Sequence, residues 1–474
     1  MTDLAYLSAV ETLRLFRAGE LSPVELLDAV VDRAERIQPS VNAFCEELYD
    51  SAREQARTAE TRYAAGRARA LEGLPVAIKE EQPIAGRTHE QGSLLGRGQI
   101  ADVTHPVVAR ILDAGGVVHA RTTTPEFSCA GFTHSELWGV TRNPWNTRYS
   151  SGGSSGGSAA ALAAGMTTLA TGSDIGGSIR IPASFCGVVG FKPPYGRVPA
   201  LPPFNLDHYC HDGPLARTVG DCALLQNVIV GAWPGDVVSL RDNPVLPVTD
   251  FASVAGRRIA FSLRLGDFIV DPEIVANTYA VVEALRAAGA VVEEVELPWT
   301  RAEIARAADA HFGAIFGALV GSIGEPEAEL LTPYARAFMA RRAELSFYDG
   351  LSAEGRLYAP LGELLARYDA LICPTAGIPA FEAGEDYLDR KLTIGGIELK
   401  HYMEGVLTLP FNIASRCPVL AVPSGRASTG VPTGVQIVGR TYDDLTVFEI
   451  AAALERERPW LTDPVAGGHM PVRG

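Results

Sequence analysis

Leu74-Pro75-Val76-Ala77-Ile78-Lys79 is a short, unbroken apolar run that ends abruptly on a charged residue. Runs of this length without polar alternation mark strands buried on both faces. Downstream, Val107 to Asp113 has helical spacing and stops at Gly115-Gly116, and Val117-Val118-His119-Ala120 returns to a strand. Helix and strand alternate, which implies an α/β architecture with parallel pairing. Upstream, Ser22-Pro23-Val24-Glu25 combines an N-cap, a proline at the first helical position and a capping-box glutamate. Val24, Leu27, Val30, Val31 and Ala34 follow at helical spacing and predict a helix from Pro23 to about Ile37. Farther on, Arg258-Ile259-Ala260-Phe261, a helix from Pro272 to Ala287 and Val291 to Leu297 read as one strand-helix-strand crossover. Residues Arg301 to Leu357 read as helices, and strands return at Ala370 to Cys373, Val419 to Val422 and Gly434 to Val438. No repeat or polar linker interrupts the chain, so we expect one continuous domain over residues 1–474 with a peripheral lobe.

The composition sets limits on function. The 474 residues are 47% hydrophobic and 20% charged, which excludes a disordered or fibrous chain. The net charge of −15 repels phosphate backbones and anionic lipid, so neither nucleic acid nor a membrane surface is an expected partner. Cys45, Cys129, Cys186, Cys210, Cys222, Cys373 and Cys417 form no C-x-x-C pair, which fits reduced thiols in a cytoplasm. Met1 to Val10 lacks the pattern of a signal peptide, and no segment approaches about 18 uninterrupted apolar residues.

Two glycine-rich elements stand close together: Gly152-Gly153-Ser154-Ser155-Gly156-Gly157-Ser158 and Asp174-Ile175-Gly176-Gly177-Ser178-Ile179-Arg180. One reading is a pair of tight turns; a phosphate loop is excluded because no lysine follows the glycines in the required position. The alternative is chemical. Amides around Ser178 can converge on one point and stabilise an oxyanion, which makes Ser178 a candidate nucleophile. A serine needs a base, and none of the nine histidines sits in a recognisable catalytic context. Lys79 can serve if burial keeps it neutral; alone, it would read as a lysine leaving the sheet for solvent.

Taken together, Gly73-Leu-Pro-Val-Ala-Ile-Lys79, the Ser154 loop and Asp174-Ile-Gly-Gly-Ser178-Ile-Arg-Ile-Pro182 resemble the amidase signature family. The two serines lie 24 residues apart, as in that family, and this selects Ser154 as the bridging residue. Thr141-Arg-Asn-Pro-Trp-Asn146, Gly213-Pro-Leu-Ala-Arg-Thr-Val219, Cys373-Pro-Thr375, Leu409-Pro-Phe-Asn412 and Gly434-Val-Gln-Ile-Val-Gly439 extend the likeness over most of the chain. The resemblance implies a large mixed, mostly parallel central sheet covered by helices on both faces. It also implies a Ser-Ser-Lys triad of Ser178, Ser154 and Lys79, with a cis peptide at the bridging serine. The oxyanion hole would be the amides of Ile175, Gly176, Gly177 and Ser178. Ser155, Asp174 and Arg180 would support the loop, and Ser128, Cys129, Ala130, Gly131 and Cys210 are candidate substrate contacts. No metal and no organic cofactor are implied, and since many relatives are homodimers, a homodimer is expected. Residues from about 250 to 360 match weakly and form a less typical, mostly helical region on the substrate side. Lys79-Glu80-Glu81 departs from the family's common Lys-Asp.

The implied activity is hydrolysis of a carbon-nitrogen bond in a small amide, aryl amide or hydrazide. Two other readings stay open: the glutaminase subunit of a tRNA-dependent amidotransferase, and a catalytically silent binding protein. Asp207-His208-Tyr209-Cys210-His211-Asp212 carries metal-ligand residue types without a zinc spacing, and lining of the substrate pocket is the expectation there. Phe312 and Phe316, four apart on a helical stretch, read as core.

Overall fold

The computed structural model describes residues 3–322, 325–340 and 343–460. Eleven strands form one sheet. In chain order they are β1 (Phe44–Glu47), β2 (Pro75–Lys79), β3 (Val117–Thr122), β4 (Leu169–Asp174), β5 (Val189–Lys192), β6 (His211–Ala216), β7 (Arg258–Phe261), β8 (Val291–Glu294), β9 (Ala370–Pro374), β10 (Val419–Arg426) and β11 (Pro432–Gly439). Across the sheet the order is β1-β3-β2-β4-β6-β5-β10-β11-β9-β7-β8. Parallel pairing joins β2 to β3 and β4, and β7 to β8 and β9. Between these two groups β4, β6, β5, β10, β11 and β9 pair antiparallel, so the sheet is mixed. Each parallel group rests on a helical crossover: Pro106–Asp113 connects β2 to β3, and Pro272–Ala287 connects β7 to β8.

Alternation along the strands feeds two core layers. Val76 and Ile78 join one apolar cluster with Val107 and Ile111, while Ala77 joins another with Ala120 and Ala159 to Ala164. In the same way Ile259 and Phe261 face the first layer, and Ala260 faces the layer that holds Phe312 and Phe316. Both faces of the sheet are therefore covered, and the unbroken apolar run at β2 is explained. The helix read from Pro23 runs to Val41, and its capping box is formed. The alanine-rich stretch is the helix Gly156–Ala163, buried at every residue because small side chains let it lie close to the sheet. The crossover strand read from Val291 ends at Glu294, earlier than its apolar pattern suggests. Residues 250–360 supply the edge strand β8, its neighbour β7 and a set of helices, including Arg301–Ala314 and Phe347–Leu365. Among the described residues, no helix is long and apolar enough to cross a membrane.

One buried ion pair links the halves of the sheet. Arg180, at the start of the helix Arg180–Cys186, donates from Nε and Nη2 to Asp174 at 3.0 and 2.9 Å. The same guanidinium donates to the Thr408 carbonyl, Gln436 Oε1 and Asn412 Oδ1 at 2.9, 2.9 and 2.7 Å. Burial alone would raise the Asp174 carboxyl, but the Arg180 charge and hydrogen bonds from Arg180 and Asn412 hold it far below the usual carboxylate range. Its stabilisation is accordingly complete above the ordinary aspartate value of about 4 and is lost as pH falls from there toward the lower folded value. Asp174→Ala should lower the unfolding free energy by about 3–5 kcal/mol, since it strands a buried guanidinium. Denaturant titration at neutral pH tests this, and the gap between variant and wild type should narrow in acid.

Candidate active site

Lys79 ends β2 with its side chain fully buried, and its backbone N–H donates to Thr171 Oγ1 at 3.0 Å. Its Nζ reaches three acceptors: Ser154 Oγ at 2.7 Å, Ser173 Oγ at 2.8 Å and Glu81 Oε2 at 2.6 Å. Three acceptors match the three donors of an ammonium. The Glu81 carboxylate beside this amine is a partner that the sequence pattern did not reveal. Ser154 follows a cis peptide bond from Gly153 and precedes the helix Gly156–Ala163. Ser178 occupies the turn between β4 and the helix Arg180–Cys186. The Ser155 N–H donates to the Ser178 carbonyl at 3.1 Å, which holds the two serine loops side by side.

The turn that carries Ser178 is wrapped around Asp174. The carboxylate accepts from the Gly177 N–H at 2.8 Å and from the Ile179 N–H at 3.1 Å. Gly177 has φ +122°, a region that favours glycine, and an added Cβ would collide with Thr408 Oγ1. Gly177 thus departs from its expected place in the oxyanion hole, because its N–H is spent on Asp174. Ile175, Gly176 and Ser178 do face a cavity of about 440 Å³. Ser155 is a loop-former as expected: its Oγ donates to the Ser173 carbonyl and accepts from the Ser173 N–H, both at 3.2 Å.

Ser128, Cys129, Ala130 and Gly131 line the same cavity. Cys210 does not. It borders a separate small pocket with Tyr195 and Asp236, and its Sγ lies 3.6 Å from Asp207 Oδ2. The expectation that Asp207 to Asp212 line the substrate cavity is corrected with it, because these side chains are engaged internally. Asp207 accepts from His311 Nε2 at 2.6 Å, His208 and Tyr209 meet Glu354 at 3.1 and 2.8 Å, and Asp212 accepts from Gln82 Nε2 at 2.6 Å. Ligand atoms of Asp207, His208 and His311 lie within 4.8 Å of one another, but this is a hydrogen-bonded cluster with Tyr209 stacked on His311. Phe312 and Phe316, read as core, are buried and also form the cavity wall with Phe268, Ile304, Phe338 and Leu409. They come from the weakly matching region, where no motif distinguishes a lining phenylalanine from a packed one.

Two residues at the centre of the site were not legible from the sequence as functional groups: Ser173 and Glu81. Glu81 was visible only as a departure from a pattern. Ser173 Oγ donates to Glu81 Oε2 at 2.6 Å, and Ser128 Oγ donates to the same oxygen at 2.9 Å. Burial pushes the Glu81 carboxyl up, but the Lys79 charge and hydrogen bonds from Lys79, Ser173 and Ser128 outweigh it and hold the group below its ordinary value. Glu80 turns the other way, to the Glu90 and Gln91 amides, and burial raises its carboxyl to about 7.

The chain matches the amidase family over residues 25–448. A glutamyl-tRNA(Gln) amidotransferase subunit of Thermosynechococcus vestitus is 33% identical, with 93% of this chain and 96% of that protein covered. A bacterial aryl acylamidase of the amidase signature family has a similar structure, with TM-score 0.89 and 28% identity over 96% of this chain and 97% of that one. The glutamyl-tRNA(Gln) amidotransferase subunit of the same type from Thermotoga maritima superposes with TM-score 0.78 and 28% identity over 97% and 96% of the two chains. Sequence match and fold agree, and the chain belongs to the amidase signature family of amide-hydrolysing enzymes.

Proposed function

We propose that this enzyme hydrolyses a linear amide, or a related aryl amide or hydrazide, that carries a bulky apolar group, through an acyl-enzyme on Ser178. The observation that carries the reading is the hydrogen bond from Lys79 Nζ to Ser154 Oγ, 2.7 Å, beside Ser178 on the wall of a largely apolar cavity. Ser178 Oγ attacks the carbonyl carbon while its proton passes to Ser154 and the Ser154 proton to a neutral Lys79. The negative oxygen is met by the backbone amides of Ile175, Gly176 and Ser178. Collapse breaks the carbon-nitrogen bond, and the proton held by Lys79 returns through Ser154 to the leaving amine. Water repeats the sequence on the ester and releases the acid. All bonds between heavy atoms made and broken lie between substrate, Ser178 and water; Ser154 and Lys79 only pass and return the proton.

One observation favours a second reading, the glutaminase subunit of an amidotransferase: several curated relatives at 32–35% identity carry an amidotransferase name. Against it stands the cavity. Glutamine presents an ammonium and a carboxylate, whereas most of the wall is apolar, with Ile175, Ile181, Phe268, Phe312, Phe316 and Phe338; its charged groups are Asp309, Asp386, Arg301 and Glu404, the last two paired at 3.1 Å.

A release assay across primary amides, anilides, hydrazides and glutamine separates the two. We expect turnover of an anilide or amide with an aromatic or long apolar part, and a loss of at least ~10³-fold in Ser178→Ala and Lys79→Ala with the fold retained. Activity confined to glutamine, or undiminished activity in Ser178→Ala, would overturn the reading. On the substrate so found, Phe316→Ala should raise KM roughly tenfold with little change in kcat, because it removes apolar contact made equally in ground and transition states. Steady-state kinetics checks this.

A further inference from the structure

The proton relay as written needs Lys79 to accept a proton, yet the tightest contact of its amine is with a carboxylate. Glu81 Oε2 lies 2.6 Å from Lys79 Nζ and also accepts from Ser173 at 2.6 Å and from Ser128 at 2.9 Å. One carboxylate oxygen thus gathers the buried lysine, a serine of β4 and a serine of the cavity wall. Ser173 closes a ring, since it accepts from Lys79 at 2.8 Å and donates to Glu81. A second buried lysine, Lys192, has no carboxylate at hydrogen-bond distance among the described residues. Lys192 is equally buried, but carbonyl oxygens of Ser415 and Cys417 and the His211 ring surround it, and desolvation with the Arg180 charge pushes it down to about 7.

We propose that Glu81 is a positioning residue of the relay: its carboxylate holds the Lys79 amine against Ser154 and decides the pH at which Lys79 becomes able to take the Ser154 proton. The inference rests on the reading of Lys79 as base and Ser178 as nucleophile. The three Nζ contacts, to Ser154, Ser173 and Glu81, have the geometry of an ammonium held beside a carboxylate. Loss of one proton to solvent leaves a neutral amine. Attack by Ser178 then sends its proton to Ser154 and the Ser154 proton to Lys79, which restores the ammonium beside the carboxylate. An anion at hydrogen-bond distance favours the charged amine, so Glu81 trades readiness at low pH for a fixed geometry. Other titratable groups face the cluster. Asp212 lies on β6, where burial with the Glu81 charge raises it to about 7. His105, pushed down to about 4 by burial, His89, whose ring meets the Glu81 carbonyl at 3.1 Å, and Cys210 also feel the Glu81 charge.

A fluorophosphonate probe tests this without knowledge of the substrate. It forms a bond from serine Oγ to phosphorus and releases fluoride, and it depends on the same proton removal. The second-order labelling rate is measured from about pH 5 to 10 for wild type, Glu81→Gln, Glu81→Asp and Ser178→Ala. In Glu81→Gln the acid limb should move to lower pH by about 1 to 3 units, so that on the wild-type limb the variant labels at least about tenfold faster, while its plateau is lower. A purely structural role would lower the rate at every pH and leave the limb in place, and that result overturns the proposal. If near-ultraviolet circular dichroism finds Glu81→Gln misfolded, Glu81→Asp decides: a smaller shift in the same direction supports the proposal and an unmoved limb overturns it. Labelling of Ser178→Ala at the wild-type rate would overturn the assignment of the nucleophile, an outcome separate from any shift of the limb.

Discussion

Arg180 has no exposed surface and carries a full charge, and the fold is arranged to satisfy it. The guanidinium meets Asp174 through two hydrogen bonds and spends its remaining donors on Thr408, Asn412 and Gln436. A buried cation with one donor unmet costs several kcal/mol, so these segments have little freedom to drift apart. Asp174 ends β4 and Gln436 lies on β11, so the pair spans from the first parallel group to the central antiparallel strands. Because Asp174 also takes the Gly177 and Ile179 amides, the same interaction shapes the turn that carries Ser178. Stability and the aim of the nucleophile are therefore set by one cluster.

The site itself arises from the ends of neighbouring strands. β2 and β4 are parallel neighbours, so their carboxyl ends bring Lys79, Ser173 and Asp174 to one edge of the sheet. The glycine-serine loop then lays Ser154 against Lys79, and Ser155 bonds back to Ser173 to hold it there. The relay groups gather at this edge. Beyond Ser178 the wall is mostly aromatic and aliphatic, with Arg301, Asp309, Asp386 and Glu404 interspersed, and it is built largely from the helices Arg301–Ala314 and Pro333–Met339 and from the segment Tyr402–Leu409. The division suits a reaction in which charge develops at a single carbonyl and the rest of the substrate is held by apolar contact.

Much of this was legible along the chain for local reasons. The strand ending at Lys79, the capped helix at Pro23 and the helix Pro272–Ala287 are encoded by short-range patterns of burial and capping, and the structure follows them closely. Ser178 stood out because a glycine-rich turn leaves a mark in the sequence, while Ser154 was singled out by its likeness to the family's bridging serine. Phe312 and Phe316 did not separate from ordinary core residues, since a phenylalanine facing a cavity and one facing a neighbour have the same spacing. Cys210 and the aspartates around it were misplaced for a related reason: residue type alone does not say whether a polar group meets substrate or another side chain.

By itself the sequence determined the strand and helix types, the pairing of two glycine-serine loops with a lysine at a strand end, and so the class of chemistry. These are properties of local backbone preference and side-chain identity. Only the tertiary structure decided which groups surround Lys79, which amides are free to meet an oxyanion and which aromatic side chains border the cavity. Ser173 is 94 residues from Lys79 along the chain, and Thr408 is 228 from Arg180. Contacts at such separations depend on how the strands are ordered in the sheet, and no local pattern carries that information.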